Sequence, residues 1–112
     1  LVLLHDSIPL DAATSARERT TAFYSGDVWK LAACLHNERP DLRMVTVPTA
    51  PTGLTLVAGF REGGSDFGSR FDGLVDKYGA LSFGDYVTHP EWMPARIANN
   101  ERAVADWIVQ NR

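Results

Sequence analysis

The chain opens on Leu1-Val2-Leu3-Leu4, four consecutive apolar residues that stop abruptly at His5-Asp6. An unbroken apolar run closed by polar residues predicts a strand buried on both faces, as in parallel sheets. It lacks the basic region and the small-residue cleavage site of a signal peptide. A parallel strand needs a neighbour on each side, and no sequence lies before this one to provide it. The run is therefore expected to be an interior strand of a larger sheet, with this chain as the C-terminal piece of a longer protein. A frayed hydrophobic terminus is the plainer alternative.

Length and composition narrow the class. The 112 residues fit one domain, and 45% hydrophobic with 22% charged residues exclude a disordered or fibrous chain. Eleven Lys+Arg against fourteen Asp+Glu leave a charge of −3, without the basic excess of a nucleic-acid binder. No apolar run approaches the roughly 20 residues of a membrane helix. Cys34 is the only cysteine, which excludes an internal disulfide and the usual zinc clusters. A soluble, cytoplasmic α/β domain is expected, with neither nucleic acid nor membrane as partner.

Asp6 to Gly26 reads as a long loop with a helical turn near Asp11–Arg17, and loops of this length are often functional. Val28, Leu31, Ala32 and Leu35 then repeat at helical spacing. Asp27 or Ser25 is the expected N-cap, and Pro40 closes the helix. Leu42–Val47 and Leu54–Phe60 read as strands, joined through Pro48–Gly53 into an antiparallel hairpin. Pro48 and Gly59 suit a strand near the sheet edge. Gly63-Gly64 should end the hairpin. Phe71, Leu74, Val75 and Tyr78 predict a short helix, Ser82 and Asp85 a capped helical turn, and Asn99 or Asn100 the start of a terminal helix. A strand feeding a helix that leads to another strand suggests a right-handed α/β crossover.

Two stretches could carry chemistry. His5-Asp6 stands where a strand meets a loop, the place where open α/β sheets bind ligands. An imidazole and a carboxylate there could act as a general base with its partner, or ligate a metal. Neighbours on an extended chain point to opposite faces, so a turn cap at Asp6 and a backbone-bonded His5 form the structural alternative. In Ser25-Gly26-Asp27-Val28-Trp29-Lys30, a glycine ahead of a helix start permits close approach by an anion. Trp29 and Lys30 should flank a ligand; otherwise Asp27 caps, Trp29 packs and Lys30 is solvated. Cys34 reads as a small buried hydrophobe. The macrodipole accounts for His36 near a helix C-terminus. His89 has no partner legible in the sequence, and Trp92, Trp107, Phe71 and Tyr78 read as core. Gly63-Gly64 lacks the lysine of a phosphate-binding loop.

Leu3-Leu4-His5-Asp6-Ser7-Ile8-Pro9, Gly26-Asp27-Val28-Trp29-Lys30 and Arg39-Pro40-Asp41-Leu42, in this order, resemble the C-terminal half of class I S-adenosylmethionine-dependent methyltransferases. The methyltransferase domain 24 type is the nearest, and the similarity covers Leu1 to about Phe60. It implies an α/β, Rossmann-like sheet: one parallel strand, a crossover helix, an antiparallel terminal hairpin and C-terminal helices. Residues 1–62 would be the C-terminal half of the methyltransferase-like domain, and 63–112 a helical extension packed on it. S-adenosylmethionine would be bound mainly by an upstream half, since its glycine-rich loop and acidic residue have no counterpart here.

The resemblance implies catalytic roles for His5 and Asp6, the same two as ligands of a divalent metal, and substrate contacts from Asp27, Trp29 and Lys30. Magnesium prefers oxygen, which suits Asp6; His5 suits a base or a softer metal such as manganese. Ser7 stands where the family often has cysteine. The expected reaction is methyl transfer to a small-molecule acceptor, chiefly on oxygen, with the Pro9–Ser25 loop and the segment around Trp92 shaping the pocket. Two rival readings are a non-catalytic module or homo-oligomer pairing through its first strand, and a related metal-dependent α/β enzyme.

Overall fold

A computed structural model describes residues 1–62 and 66–112. The elements are β1 (Val2–His5), α1 (Val28–Glu38), β2 (Arg43–Val47), β3 (Leu54–Ala58), α2 (Phe71–Gly79), α3 (Phe83–Thr88) and α4 (Glu101–Asn111). Short 3₁₀ turns at Phe67–Arg70 and Pro90–Trp92 lead into α2 and out of α3. The Gly63-Gly64 pair expected to end the hairpin lies outside the described residues.

The strands form one sheet in the order β1-β3-β2, and both pairings are antiparallel. The return strand of the hairpin has inserted beside β1, opposing Val2 with Val57 and His5 with Leu54. β1 and β2 therefore run in the same direction with β3 between them, and α1 is the connection that crosses over. A parallel neighbour for β1 was expected; its neighbour among the described residues is antiparallel. Nor is β1 buried on both faces: Val2 is 41% and Leu3 55% exposed.

Alternation along the strands builds two cores. Val45, Val47 and Leu56 face α4, with Val104, Trp107 and Ile108 packed on them. Val57, with Leu42 and Leu35 of α1, forms the core on the other face. On the far side of α1 from the sheet, its Ala33 and Cys34 meet Leu74 and Tyr78 of α2. β2 is an outer strand, as expected of one hairpin partner, while β3, which Gly59 follows, is central. The edge of β2 is covered, with Thr46 N donating to Ala95 O at 2.8 Å and Ile97 N to Thr46 O at 3.0 Å. No helix of the described residues is long and apolar enough to cross a membrane.

Packing rotates some helical faces away from their expected setting. In α1, Trp29, Ala32, Ala33, Cys34 and Leu35 are buried while Leu31 is 46% exposed. In α2, Leu74 and Tyr78 are buried but Phe71 and Val75 lie exposed, so Phe71 is not core. Asp27 occupies the N-cap position of α1 without a capping side-chain bond. Ser82 and Asp85 form the reciprocal capping box of α3, and Asn100 caps α4. Arg39, in the turn from α1 to β2, grips Asp41 through two bonds of 2.8 and 2.6 Å.

Glu38 ties α2 to α1. Its carboxylate accepts from Lys77 Nζ at 2.9 Å, Tyr78 Oη at 2.8 Å and Arg70 Nη1 at 3.1 Å. These three donors hold its pKa down to about 2, while burial and the same contact push the Tyr78 phenol up. A carboxyl whose pKa is depressed by folding stabilises the fold above its unfolded value and ceases to as it protonates. The clamp should therefore be at full strength above about pH 4.5 and fade as pH falls toward about 2. Glu38→Gln should cost about 1–2 kcal/mol at neutral pH. In urea titrations, the gap between wild type and variant should close on acidification.

Candidate functional site

β1 ends in an abrupt turn. Asp6 takes a left-handed backbone (φ +59°), sparsely used outside glycine and best tolerated by Asn and Asp. The turn undoes the opposite-face rule of extended neighbours. His5 Nδ1 comes within 3.2 Å of Asp6 Oδ1, and Thr52 Oγ1 donates to the same carboxylate oxygen. Thr52 is wholly buried in the hairpin loop, so that loop anchors Asp6 from behind. Next along the chain, Ile8 N donates to Thr52 O at 2.7 Å. Ile8 lies over Gly53 so closely that an added Cβ there would collide with Ile8 Cγ1. The imidazole stands 73% exposed, with Nδ1 toward Asp6.

Beside this turn opens a cleft of about 630 Å³, with Ser7, His36, Thr46, Tyr86, Glu91 and Arg96 as its polar lining. Ser7, Thr46 and Thr55 form a chain of hydroxyls inside the protein. Thr46 Oγ1 and Thr55 Oγ1 are 2.8 Å apart, and Thr55 Oγ1 donates to Ser7 Oγ at 2.8 Å. All three residues are buried. Burial also pushes the His36 imidazole below its ordinary pKa. Trp29 supports the cleft wall from behind, edge-on to Tyr86 at 5.4 Å between ring centres.

The structure divides the expected substrate residues. Asp27 and Lys30 line a different cavity of about 250 Å³, against Leu31, Phe71 and Val75. Lys30 is not solvated: Nζ donates to Gly79 O at 3.0 Å and sits 3.6 Å from Asp27 Oδ2. Trp29 is 2% exposed and turned inward, because successive helical residues diverge by about 100°. Hence Asp27, Trp29 and Lys30 do not form one substrate surface with His5 and Asp6. The anion-binding turn is also spent: Ser25 N and Gly26 N both point to Thr14 O, at 2.9 and 3.3 Å.

For a metal, His5 and Asp6 provide two donor groups, and among the described residues no three His, Cys, Asp or Glu side chains converge on one point. Magnesium takes six oxygens, several of them water, so this pair alone is not a complete cage. Cys34 is buried, and burial raises its thiol pKa, as befits a packing residue.

Sequence reasoning missed His36, Tyr86 and Arg96. His36 had a signal, lying seven residues after Trp29 on the same helix face; the other two arrive from distant segments. Around Trp92, it is Pro90, Glu91 and Met93–Arg96 that line the cleft, while Trp92 turns to a smaller cavity beside Asn37 and Leu81. His89 has partners after all, stacked on Trp92 at 4.0 Å and 3.0 Å from Glu91. No family model, curated protein or solved structure matches this chain.

Thr55 is the link whose loss strands both its neighbours. Thr55→Val keeps the shape but leaves Thr46 and Ser7 without their shared partner, so it should cost about 1–3 kcal/mol. Chemical denaturation read by tryptophan fluorescence measures this, and a change within about 0.5 kcal/mol would contradict the chain's structural weight.

Proposed function

We propose that this chain forms the acceptor side of a methyltransferase-like domain, in which His5 deprotonates a small-molecule acceptor, chiefly at oxygen. The observation that carries the reading is the left-handed turn at Asp6, which folds a carboxylate back onto the imidazole at a strand end, beside an open cleft. The sheet is compatible with it. The C-terminal ends of β1 and β2 point the same way, and open α/β sheets bind ligands beyond such ends.

S-adenosylmethionine would supply the methyl group, carried on a sulfonium. The described residues show no glycine-rich strand–loop–helix to hold it, so this chain's share is the acceptor and its proton. With Nδ1 facing Asp6, the proton of neutral His5 sits on that nitrogen, and Nε2 is left as the base directed outward. Asp6 fixes the ring and stabilises the imidazolium formed when the acceptor gives up its proton. Thr52 keeps Asp6 in place. Holding the acceptor oxygen in line is worth as much as removing its proton, since alignment dominates in a single displacement.

In the full-length protein, His5→Ala and Asp6→Asn should each lower turnover by about 10²–10⁴-fold in a labelled-methyl assay. Asn preserves the left-handed turn while removing the charge, so the fold is spared. Undiminished turnover in both variants would reduce the pair to a turn cap.

A second reading has its own observation. β1 pairs on one edge only among the described residues, and Val2 and Leu3 are exposed beside that free edge. An apolar strand so placed recruits another strand, as an interaction module or homo-oligomer would. Light scattering across a dilution series should then show self-association, and a clean monomer would dismiss the homo-oligomer.

A further inference from the structure

The cleft contains groups that proton removal by His5 does not use. Thr55 has a single hydroxyl proton and commits it to Ser7, so Thr46 must be the donor in the Thr46–Thr55 contact. The chain is thus directed, from Thr46 through Thr55 to Ser7. At its end the Ser7 proton has no acceptor among the described residues, although Ser7 is 1% exposed and lines the cleft. Hydroxyls this deeply placed almost always make their bonds.

Arg96 is the second unused group. Its Nη2 donates to Tyr86 Oη at 3.0 Å, and it pairs with no carboxylate among the described residues. Glu91, the other charged residue of the lining, is 3.0 Å from His89 Nδ1. His36 adds no positive charge at neutral pH, because burial disfavours its charged form. Between these groups the wall is apolar, from Ile8, Val87, Pro90, Met93 and Pro94. A planar guanidinium with spare donors matches a carboxylate in charge and shape.

We propose that the cleft binds a small carboxylic acid with an apolar body, its carboxylate on Arg96 and an acceptor oxygen on Ser7. The proposal deepens the acceptor-side reading and rests on it for the ligand's role, though not for its binding. The test is calorimetric titration of the protein with 4-hydroxybenzoate and, as its neutral counterpart, 4-hydroxybenzamide. The acid should bind at least about tenfold more tightly than the amide. Arg96→Gln should erase that preference, whereas Ser7→Ala should weaken both probes several-fold and leave their ratio alone.

Equal binding of the two probes, a preference that survives Arg96→Gln, or no saturation by about 10 mM acid would each overturn the proposal. Failure of this site and failure of methyl transfer are separable. Arg96-dependent binding of an acid that is never methylated keeps the site and removes the methyl-transfer role. Methylation of neutral acceptors without any binding of the acid does the reverse.

Discussion

Insertion of β3 between β1 and β2 is the constraint from which the rest of the structure follows. Thr55, Leu56, Val57 and Ala58 are at most 2% exposed, so their backbone groups must be satisfied by strands on both sides. That requirement orients β1 and β2 in one direction and brings their C-terminal ends to the hairpin loop. Asp6, Ser7 and Ile8 then meet Thr52, Gly53 and Thr55. The candidate site is the local consequence of a strand order.

Two hydroxyl residues inside such a strand pair carry a cost that alternation explains. Thr55 lies on the same face as Val57, and Thr46 is its cross-strand partner. Valine at both positions would satisfy the hydrophobic pattern equally well. The threonines are tolerated because each hydroxyl reaches the next, and the last opens onto the cleft.

The helices contribute by separation. α1 turns Trp29 and His36 toward the cleft side, and Asp27, Lys30 and Leu31 toward α2. Glu38 then holds α2 against it with three donors. From the other direction, residues 95–97 run along the outer edge of β2 and bring Arg96 to the cleft mouth, while α4 covers the opposite sheet face. Segments distant in sequence thus line one cleft beside the turn at Asp6.

Local signals were legible wherever a few neighbouring residues decide the outcome. The stop at Pro40, the capping box of Ser82 and Asp85, the Asn100 cap and the hairpin loop from Pro48 to Gly53 could all be read from the chain, because each is settled within one turn of backbone. The side chains Leu31 and Phe71 could not be placed. Each belongs to an apolar stripe at helical spacing, and which edge of a stripe is buried depends on where the neighbouring helix crosses. His5 and Asp6 were visible as a pair, but on an extended chain they diverge; the left-handed turn that joins them is held by Thr52, more than forty residues away. By itself the sequence determined most of the elements, the caps of α3 and α4 and the presence of an imidazole and carboxylate at a strand end. Only the tertiary structure decided the strand order, the split of Asp27, Trp29 and Lys30, and the gathering of Ser7, His36, Tyr86 and Arg96. Those depend on contacts between remote segments, which periodicity along a single chain does not encode.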